Sequence, residues 1–427
     1  MGSVVVGLGL TGASCVRYLS KRGVAVSATD SRRVPPGLGC LGEAAAGLDL
    51  RLGGFDESLL EGASQLVMSP GVSLREPIAV AARARGIEIL GDVELFARAV
   101  RAPVIGITGT NGKSTVTTLV ARMAVAAGRR VLAGGNLGPP ALDLLEQAPP
   151  DLYVLELSSF QLDTTSSLDL QAAVVLNVSA DHLDRYASVR EYADAKARIF
   201  SRAATIVLNA DDPLVARMGD AFPGARIVRF SVQRGDTDFS RKDLPRMKLQ
   251  GLHNAANALA ALALGEAAGL PMAAMRDALE SFPGLPHRSA WVADIDGVHY
   301  IDDSKGTNVG ATLAAVIGLP GSLVLIAGGL AKGQDFTPLA HAFRGKVRKA
   351  VLIGKDAPAI AAALAGVCAT ETVASMAAAV ATAQRCAQVG DTVLLSPACA
   401  SLDMFRDYGH RGDVFAAAVH ALAGARP

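Results

Sequence analysis

Val104-Ile105-Gly106-Ile107-Thr108 is a short apolar run, rich in β-branched residues. It stops at Gly109-Thr110-Asn111-Gly112 and continues as Lys113-Ser114-Thr115-Val116-Thr117-Thr118-Leu119-Val120-Ala121. That order of residue types predicts a buried strand, a tight loop and a helix N-terminus at the edge of an α/β sheet. Such a loop is a phosphate cradle, because backbone N–H groups and the helix dipole both face the anion. Lys113 is placed to reach β and γ phosphates, and a hydroxyl of Ser114 or Thr115 to hold Mg²⁺. The strict phosphate-loop spacing would need glycine where Ile107 stands; here the glycines are Gly106 and Gly109.

The 427 residues are enough for two to four domains. Charge is nearly balanced, 41 Lys plus Arg against 40 Asp plus Glu, so no basic field suits general nucleic-acid binding. The five cysteines show no CxxC spacing and read as reduced thiols of a cytoplasmic protein. Val4 to Leu10 is too short and glycine-interrupted for a signal peptide, and no apolar run reaches transmembrane length.

The strand–turn–helix pattern recurs before and after the cradle. Ser3-Val4-Val5-Val6 leads into Gly7-Leu8-Gly9-Leu10-Thr11-Gly12, a helix from Ala13 to Lys21, and a strand over Val24 to Ala28 that runs on to Asp30. This dinucleotide-type opening fits NAD, with Asp30 on a ribose, a different diphosphate such as a UDP-sugar, or an empty crevice. Tyr153-Val154-Leu155-Glu156 ends an apolar strand in an acid, the expected place for a Mg²⁺ ligand beside a nucleotide. His182, in Asp181-His182-Leu183-Asp184-Arg185-Tyr186, reads as a metal or substrate contact or as a structural histidine. Lys196, on a helix by pattern, reads from residue type alone as a solvated or salt-bridged lysine. Asn254 and Asn257 share a helix face, to bond a base or to cap and pack. Residues 220–249 read as short strands and loops, and the Pro/Gly-rich stretch 282–288 as a linker. Beyond it, polar turns follow successive strands at 303–308, 328–333 and 396–401, which places them at one sheet edge.

Seven stretches, 108–118, 156–162, 177–186, 253–264, 285–288, 303–310 and 395–405, resemble in that order the Mur ligases, ATP-dependent amide-forming enzymes of bacterial peptidoglycan synthesis. The resemblance covers nearly the whole chain, and the family's phosphate loop has the same displaced glycine. It implies three α/β domains: a Rossmann-like UDP-substrate domain over 1–91, a central P-loop-type ATPase domain with a mostly parallel sheet over 92–284, and a Rossmann-like glutamate-binding domain over 285–427. Gly109, Thr110, Asn111, Gly112, Lys113, Ser114 and Thr115 would hold the ATP phosphates, with Asn254, Asn257, Arg288 and Asp303 around the rest of the nucleotide. Ser114, Thr115 and Glu156 would serve one Mg²⁺. His182 and Lys196 would serve a second, Lys196 as a carbamate. Gly9, Leu10, Thr11, Gly12, Asp30, Ser31, Arg32, Ser69, Pro70 and Gly71 would hold the UDP end of the acceptor, and Asn136, Ser158 and Gln161 its muramoyl end. Lys305, Thr307, Lys332, Ser401 and Tyr408 would receive glutamate.

The implied activity is ATP-dependent addition of D-glutamate to UDP-N-acetylmuramoyl-L-alanine through an acyl phosphate, with Lys113, Asn136, His182 and Lys196 catalytic. A monomer is expected, with no nucleic-acid partner and no membrane insertion, and a hinge at 283–286 about which the third domain closes. Two positions depart from the family pattern: Leu330-Ala331 replaces an Asp-Gly pair, and Tyr408 replaces a phenylalanine. Both bear on the amino-acid pocket, so L-glutamate addition, a sibling Mur ligase or a folylpolyglutamate synthetase-like enzyme are the nearest alternatives. An NAD-dependent oxidoreductase or a nucleotide-gated scaffold would leave the cradle or its acids unexplained.

Overall fold

The computed structural model describes residues 2–247 and 251–424. Its strands form three sheets. The first holds β1 (Gly2–Val6), β2 (Val26–Asp30), β3 (Asp49–Leu52), β4 (Ala63–Met68) and β5 (Glu88–Leu90) in the parallel order β3-β2-β1-β4-β5. Val4, Val5 and Val6 are buried on both faces, as a strand covered by helices on each side demands. The order reverses at β1 and β4, so the turns after these two strands flank a crevice.

The second sheet holds β6 (Val104–Thr108), β7 (Val131–Gly135), β8 (Leu152–Glu156), β9 (Leu170–Val175), β10 (Ala203–Asn209), β11 (Arg226–Ser231) and β12 (Phe239–Ser240). Its order is β12-β11-β10-β9-β6-β8-β7, all parallel. β6, every residue of it buried, has β9 on one side and β8 on the other, which puts the cradle at the centre of the sheet edge.

The third sheet holds β13 (Ala290–Ile295), β14 (Val298–Asp302), β15 (Leu323–Gly328), β16 (Val347–Ile353), β17 (Ala369–Thr372) and β18 (Thr392–Leu395). It runs β13-β14-β18-β15-β16-β17, parallel except for the β13–β14 hairpin. The last strand inserts between β14 and β15, which makes neighbours of the turns at 303–308, 328–333 and 396–401.

Packing divides the chain into two compact units. One comprises Met1–Val178, Arg190–Pro245 and Asn257–Leu279; the other comprises Ser179–Val189, Arg246–Ala256 and Glu280–Pro427. The first two sheets share one unit and one apolar core. The helix Asp92–Ala99 stitches them: Glu94 accepts from the Ser166 N–H at 2.8 Å, the Ser167 N–H at 3.0 Å and the Ser167 hydroxyl at 2.8 Å. On the helix Leu10–Lys21, Ser14 and Arg17 each donate to Asp143 at 2.6 Å, and Lys21 pairs with Glu146. The first sheet ends with β5 at Leu90 and the second begins with β6 at Val104, both inside one packed body. The segment Ser179–Val189 belongs to the compact unit of the third sheet. Among the described residues no helix is long and apolar enough to cross a membrane.

Candidate active site

In the first unit, β6 delivers the chain to Gly109 and Gly112, and the helix Lys113–Ala126 leaves from them. Gly112 caps this helix at φ +86°, and a Cβ there would lie 2.2 Å from Asn257 Oδ1; one on Gly109 would lie 2.9 Å from Leu176 Cβ. Only glycine fits both positions. Asn177, which sequence reasoning assigned no role, holds the loop from below. Its Oδ1 accepts the Asn111 N–H at 2.9 Å, its Nδ2 donates to Asn111 O at 3.0 Å, and its carbonyl accepts the Thr110 N–H at 2.9 Å. An amide closing an apolar strand was the only signal. Lys113 curls back so that its Nζ donates to the carbonyls of Gly109 and Thr110, each at 2.9 Å. Ser114 and Thr115 are buried on the first turn of the helix.

Lys196 corrects the reading of a solvated side chain. It is only 1% exposed, on the inner face of the helix Val189–Ala197, and its Nζ donates to Gly109 O at 3.0 Å and lies 4.3 Å from the Tyr192 ring centroid. As an ammonium it donates and cannot ligate a metal. Glu156, at the end of β8 opposite Ile107 of β6, is buried. Its Oε1 accepts from Asn136 Nδ2 at 2.6 Å, whereas its Oε2 is buried with no hydrogen-bond partner. An orphaned carboxylate oxygen one strand from a phosphate loop fits a divalent cation. Among the described residues no group of three or more His, Cys, Asp or Glu side chains could hold a metal. Mg²⁺ takes one or two carboxylates and completes its shell with phosphate and water.

Ser158 and Gln161 form a capping box on the turn that follows: Ser158 Oγ accepts the Gln161 N–H at 3.2 Å, and Gln161 Oε1 accepts the Ser158 N–H at 3.0 Å. In the first sheet's crevice, Gly9 starts the helix Leu10–Lys21 with no side-chain cap, leaving its first turn open to an anion. A Cβ on Gly12 would lie 1.9 Å from Gly7 O, so glycine lets helix and strand meet. Ser69, before Pro70 and Gly71, donates to Gly7 O at 2.6 Å and ties the two crevice turns together. Asp30 is fully engaged: Oδ2 accepts from the Leu8 N–H at 2.6 Å and Arg32 Nη2 at 2.7 Å, and Oδ1 from the Arg32 N–H at 2.8 Å and Nε at 2.9 Å. Burial alone would raise its pKa, but these donors hold it down to about 2. Asp30 therefore aims Arg32 and has no lone pair to spare for a ribose, which removes the support for NAD. Leu10, Thr11 and Ser31 line the same turns.

In the second unit, His182 takes a left-handed conformation at φ +54°. Its N–H donates to Asp181 Oδ1 at 2.9 Å, while Asn308 Nδ2 donates to Asp181 Oδ2 at 3.1 Å. Asp303 is buried at the end of β14, where Ser289 N–H donates to Oδ1 at 3.1 Å and the Ser396 hydroxyl to Oδ2 at 2.8 Å. Burial pushes this carboxyl up to about 7, against the pull of those donors and of nearby Arg288. Lys305 Nζ lies 3.8 Å above the Tyr408 ring. Arg411, unnoticed in the sequence, is fully buried. It donates to Ser304 O at 2.7 Å, Ser304 Oγ at 3.0 Å and Cys399 O at 3.0 Å, clamping the turn of Lys305 and Thr307 to the turn of Ser401. The turn carrying Lys332, itself exposed and at φ +52°, joins them through a Leu330–Ala400 bridge. Asn254 lies buried on the first turn of the helix Leu252–Ala267. The structure thus gathers the cradle, Asn136, Glu156, Ser158, Gln161, Lys196 and Asn257 in one unit, and the other nucleotide and amino-acid candidates in the second.

Three family descriptions match the chain: Mur ligase MurD-like, N-terminal domain, over residues 2–91; Mur ligase middle domain, over 107–265; and Mur ligase, glutamate ligase domain, over 287–399. The UDP-N-acetylmuramoylalanine–D-glutamate ligase of Nitrosococcus oceani is 53% identical, the alignment covering 98% of this chain and 96% of that protein. The enzyme of the same name from Methylococcus capsulatus is 50% identical, covering 98% and 95%. Among solved structures, UDP-N-acetylmuramate-alanine ligase MurC of Thermotoga maritima superposes with a TM-score of 0.61 at 18% identity, covering 100% of both chains. E. coli FolC, in complex with DHPP and ADP, superposes at 0.59 and 21% identity, covering 79% of this chain and 94% of that one. The family matches fall on all three sheets, and the relatives align over nearly the whole chain: the chain belongs to the Mur ligase family.

Proposed function

We propose that the chain joins D-glutamate to UDP-N-acetylmuramoyl-L-alanine, with ATP as the activating reagent, in peptidoglycan synthesis. Relatives about 50% identical over nearly their whole length carry that activity in their names. The observation that carries the chemistry is the Gly109–Lys113 cradle with the orphaned Glu156 oxygen one strand away.

A carboxylate and an amine do not condense in water without activation. The terminal carboxylate of the acceptor attacks the γ-phosphorus; the bond to the β,γ-bridging oxygen breaks, and ADP leaves with that electron pair. The glutamate amine then adds to the acyl carbon, loses a proton, and the tetrahedral intermediate expels phosphate. Lys113 exchanges the Gly109 and Thr110 carbonyls for a γ-phosphate oxygen. Glu156 and the Ser114 or Thr115 hydroxyl would hold Mg²⁺, which would supply charge neutralisation on the phosphates. Asn136, bonded to Glu156, keeps that carboxylate aimed while its turn meets the acceptor. Ser158 and Gln161 take the muramoyl end; the crevice between Gly9 and Gly71, with Arg32 held by Asp30, takes the UDP end. Asn254, Asn257, Arg288 and Asp303 frame the nucleotide. Lys305, Thr307, Lys332, Ser401 and Tyr408 would bind glutamate, and His182 would serve a second Mg²⁺.

Lys196 is read as carbamylated in the active enzyme. A neutral amine adds to CO₂, forming an N–C bond and releasing a proton, so that a buried cation becomes an anion able to ligate the second Mg²⁺. Burial disfavours the bare ammonium and supports this reading. Release of ADP should depend on UDP-N-acetylmuramoyl-L-alanine and on D-glutamate, not L-glutamate. Turnover without either co-substrate, or with L-glutamate alone, would overturn the assignment. Dialysis against CO₂-free buffer should lower the rate, and bicarbonate should restore it.

A further inference from the structure

Asp92 lies outside every group assigned above. It is the first residue of the helix Asp92–Ala99, only 1% exposed, and its Oδ2 accepts from Gln161 Nε2 at 3.0 Å. Its Oδ1 is buried with no hydrogen-bond partner. Gln161 is equally buried, and its other amide atom is committed: Oε1 accepts the Ser158 N–H at 3.0 Å and the Ser158 hydroxyl at 3.2 Å. A side-chain amide can flip, exchanging its oxygen and nitrogen with little change in shape. Here the flip would set oxygen against a carboxylate and an NH₂ group against the Ser158 N–H. The Ser158 N–H only donates and the Asp92 carboxylate only accepts, so both favour this one orientation. Burial pushes the Asp92 carboxyl up to about 6, against the pull of its Gln161 donor.

The same junction is tight in its backbone. The Gly91 N–H donates to Thr164 O at 3.3 Å, and a Cβ on Gly91 would lie 2.3 Å from Thr164 Oγ1. Gly91 follows β5 of the first sheet by one residue, and the Ser158–Gln161 box follows Glu156 of the second. We infer that Asp92 is a positioning residue for the acceptor: by accepting from Gln161 Nε2, it anchors the Ser158–Gln161 box for the muramoyl end of the substrate. This rests on the reading that the box faces the acceptor.

The test is D92A, which removes the acceptor and leaves Gln161 Nε2 without its partner. KM for UDP-N-acetylmuramoyl-L-alanine should rise about tenfold, the share of one hydrogen bond to a buried carboxylate. KM for ATP and for D-glutamate should stay within twofold. Calorimetric affinity for the acceptor, measured without ATP, should fall by the same factor. D92N keeps an oxygen for Gln161 Nε2 and should hold acceptor KM within threefold of wild type. An acceptor KM unchanged in D92A, or raised together with the other two, overturns the inference. If D92A does not fold, D92S, whose hydroxyl is too short to reach Gln161, decides: the tenfold acceptor defect supports the inference, and a normal acceptor KM refutes it. Failure of the functional assignment itself looks different, since wild type would then show no acceptor-dependent ADP release at all.

Discussion

Replacing Glu156 by glutamine should pull stability and activity in opposite directions. In the free protein Glu156 Oε1 is satisfied by Asn136 at 2.6 Å and Oε2 by nothing, though both are buried. The glutamine of E156Q would keep an oxygen for Asn136 and nearly the same volume. It would remove a buried charge whose unmatched oxygen costs about 1–3 kcal/mol, at the expense of a neutral NH₂ group that costs about 1 kcal/mol in the same place. The net expectation is a variant about 1 kcal/mol more stable, a rise of roughly 2–4 °C in Tm for a body of this size. Mg²⁺ and ATP reverse the order. At about 100 times Kd, wild type gains about 2.7 kcal/mol from ligand, while the variant, missing a ligand to the cation, gains much less. Turnover should fall about 10²- to 10³-fold, the loss typical of one group that stabilises transition-state charge. Calorimetric unfolding with and without Mg²⁺-ATP, beside an ADP-release assay, reads all three quantities. A ligand-free variant less stable than wild type, or one that turns over within tenfold of it, would refute the placement of the cation.

Glu94 should make the protein acid-sensitive. Burial opposes its charge, yet Ser166, Ser167 and Arg98 hold the carboxyl down to about 2, below the usual 4.5. The stability from this group is present above about 4.5 and is lost as pH falls toward 2, so about 2 kcal/mol should disappear between pH 5 and 3. Urea titrations should show that loss in wild type and not in E94Q, and parallel curves would refute it. G12A drives a methyl to within 1.9 Å of Gly7 O and should weaken acceptor binding by at least tenfold in calorimetry while ATP binding survives. R411K cannot reproduce a planar fork donating to Ser304 and Cys399, and should raise KM for glutamate about tenfold with little change for the acceptor. Equal changes for both substrates would speak against the clamp.

Regular alternation of apolar run, glycine turn and helix made most strands and the cradle legible, because each is a local pattern. Boundaries moved by a few residues: the helix expected from Ala13 begins at Leu10, and the strand expected from Val24 begins at Val26. β13, Ala-Trp-Val-Ala-Asp-Ile, escaped because it neither alternates nor runs apolar; it is a strand because it pairs with β14. The site residues that escaped share one property. Asn177, Asp92 and Arg411 owe their roles to partners 66, 69 and 107 positions away, and no window of sequence holds both ends of such a bond. Lys196 is the sharpest case, since one lysine on an amphipathic helix looks solvated until the fold shows which face turns inward. The pairing of 179–189 with the third sheet was equally invisible, because in the chain it interrupts the second.

The carbonyl of Gly109 receives two ammonium groups, from Lys113 and from Lys196. A triphosphate entering the loop does not find Lys113 waiting in solvent; it must outcompete peptide oxygens that already hold it. The net attraction contributed by this lysine is thus a difference between two sets of acceptors, smaller than an ion pair formed from water. In the proposed reaction, once the terminal phosphoryl has gone, these two carbonyls would offer the side chain a berth on the loop again.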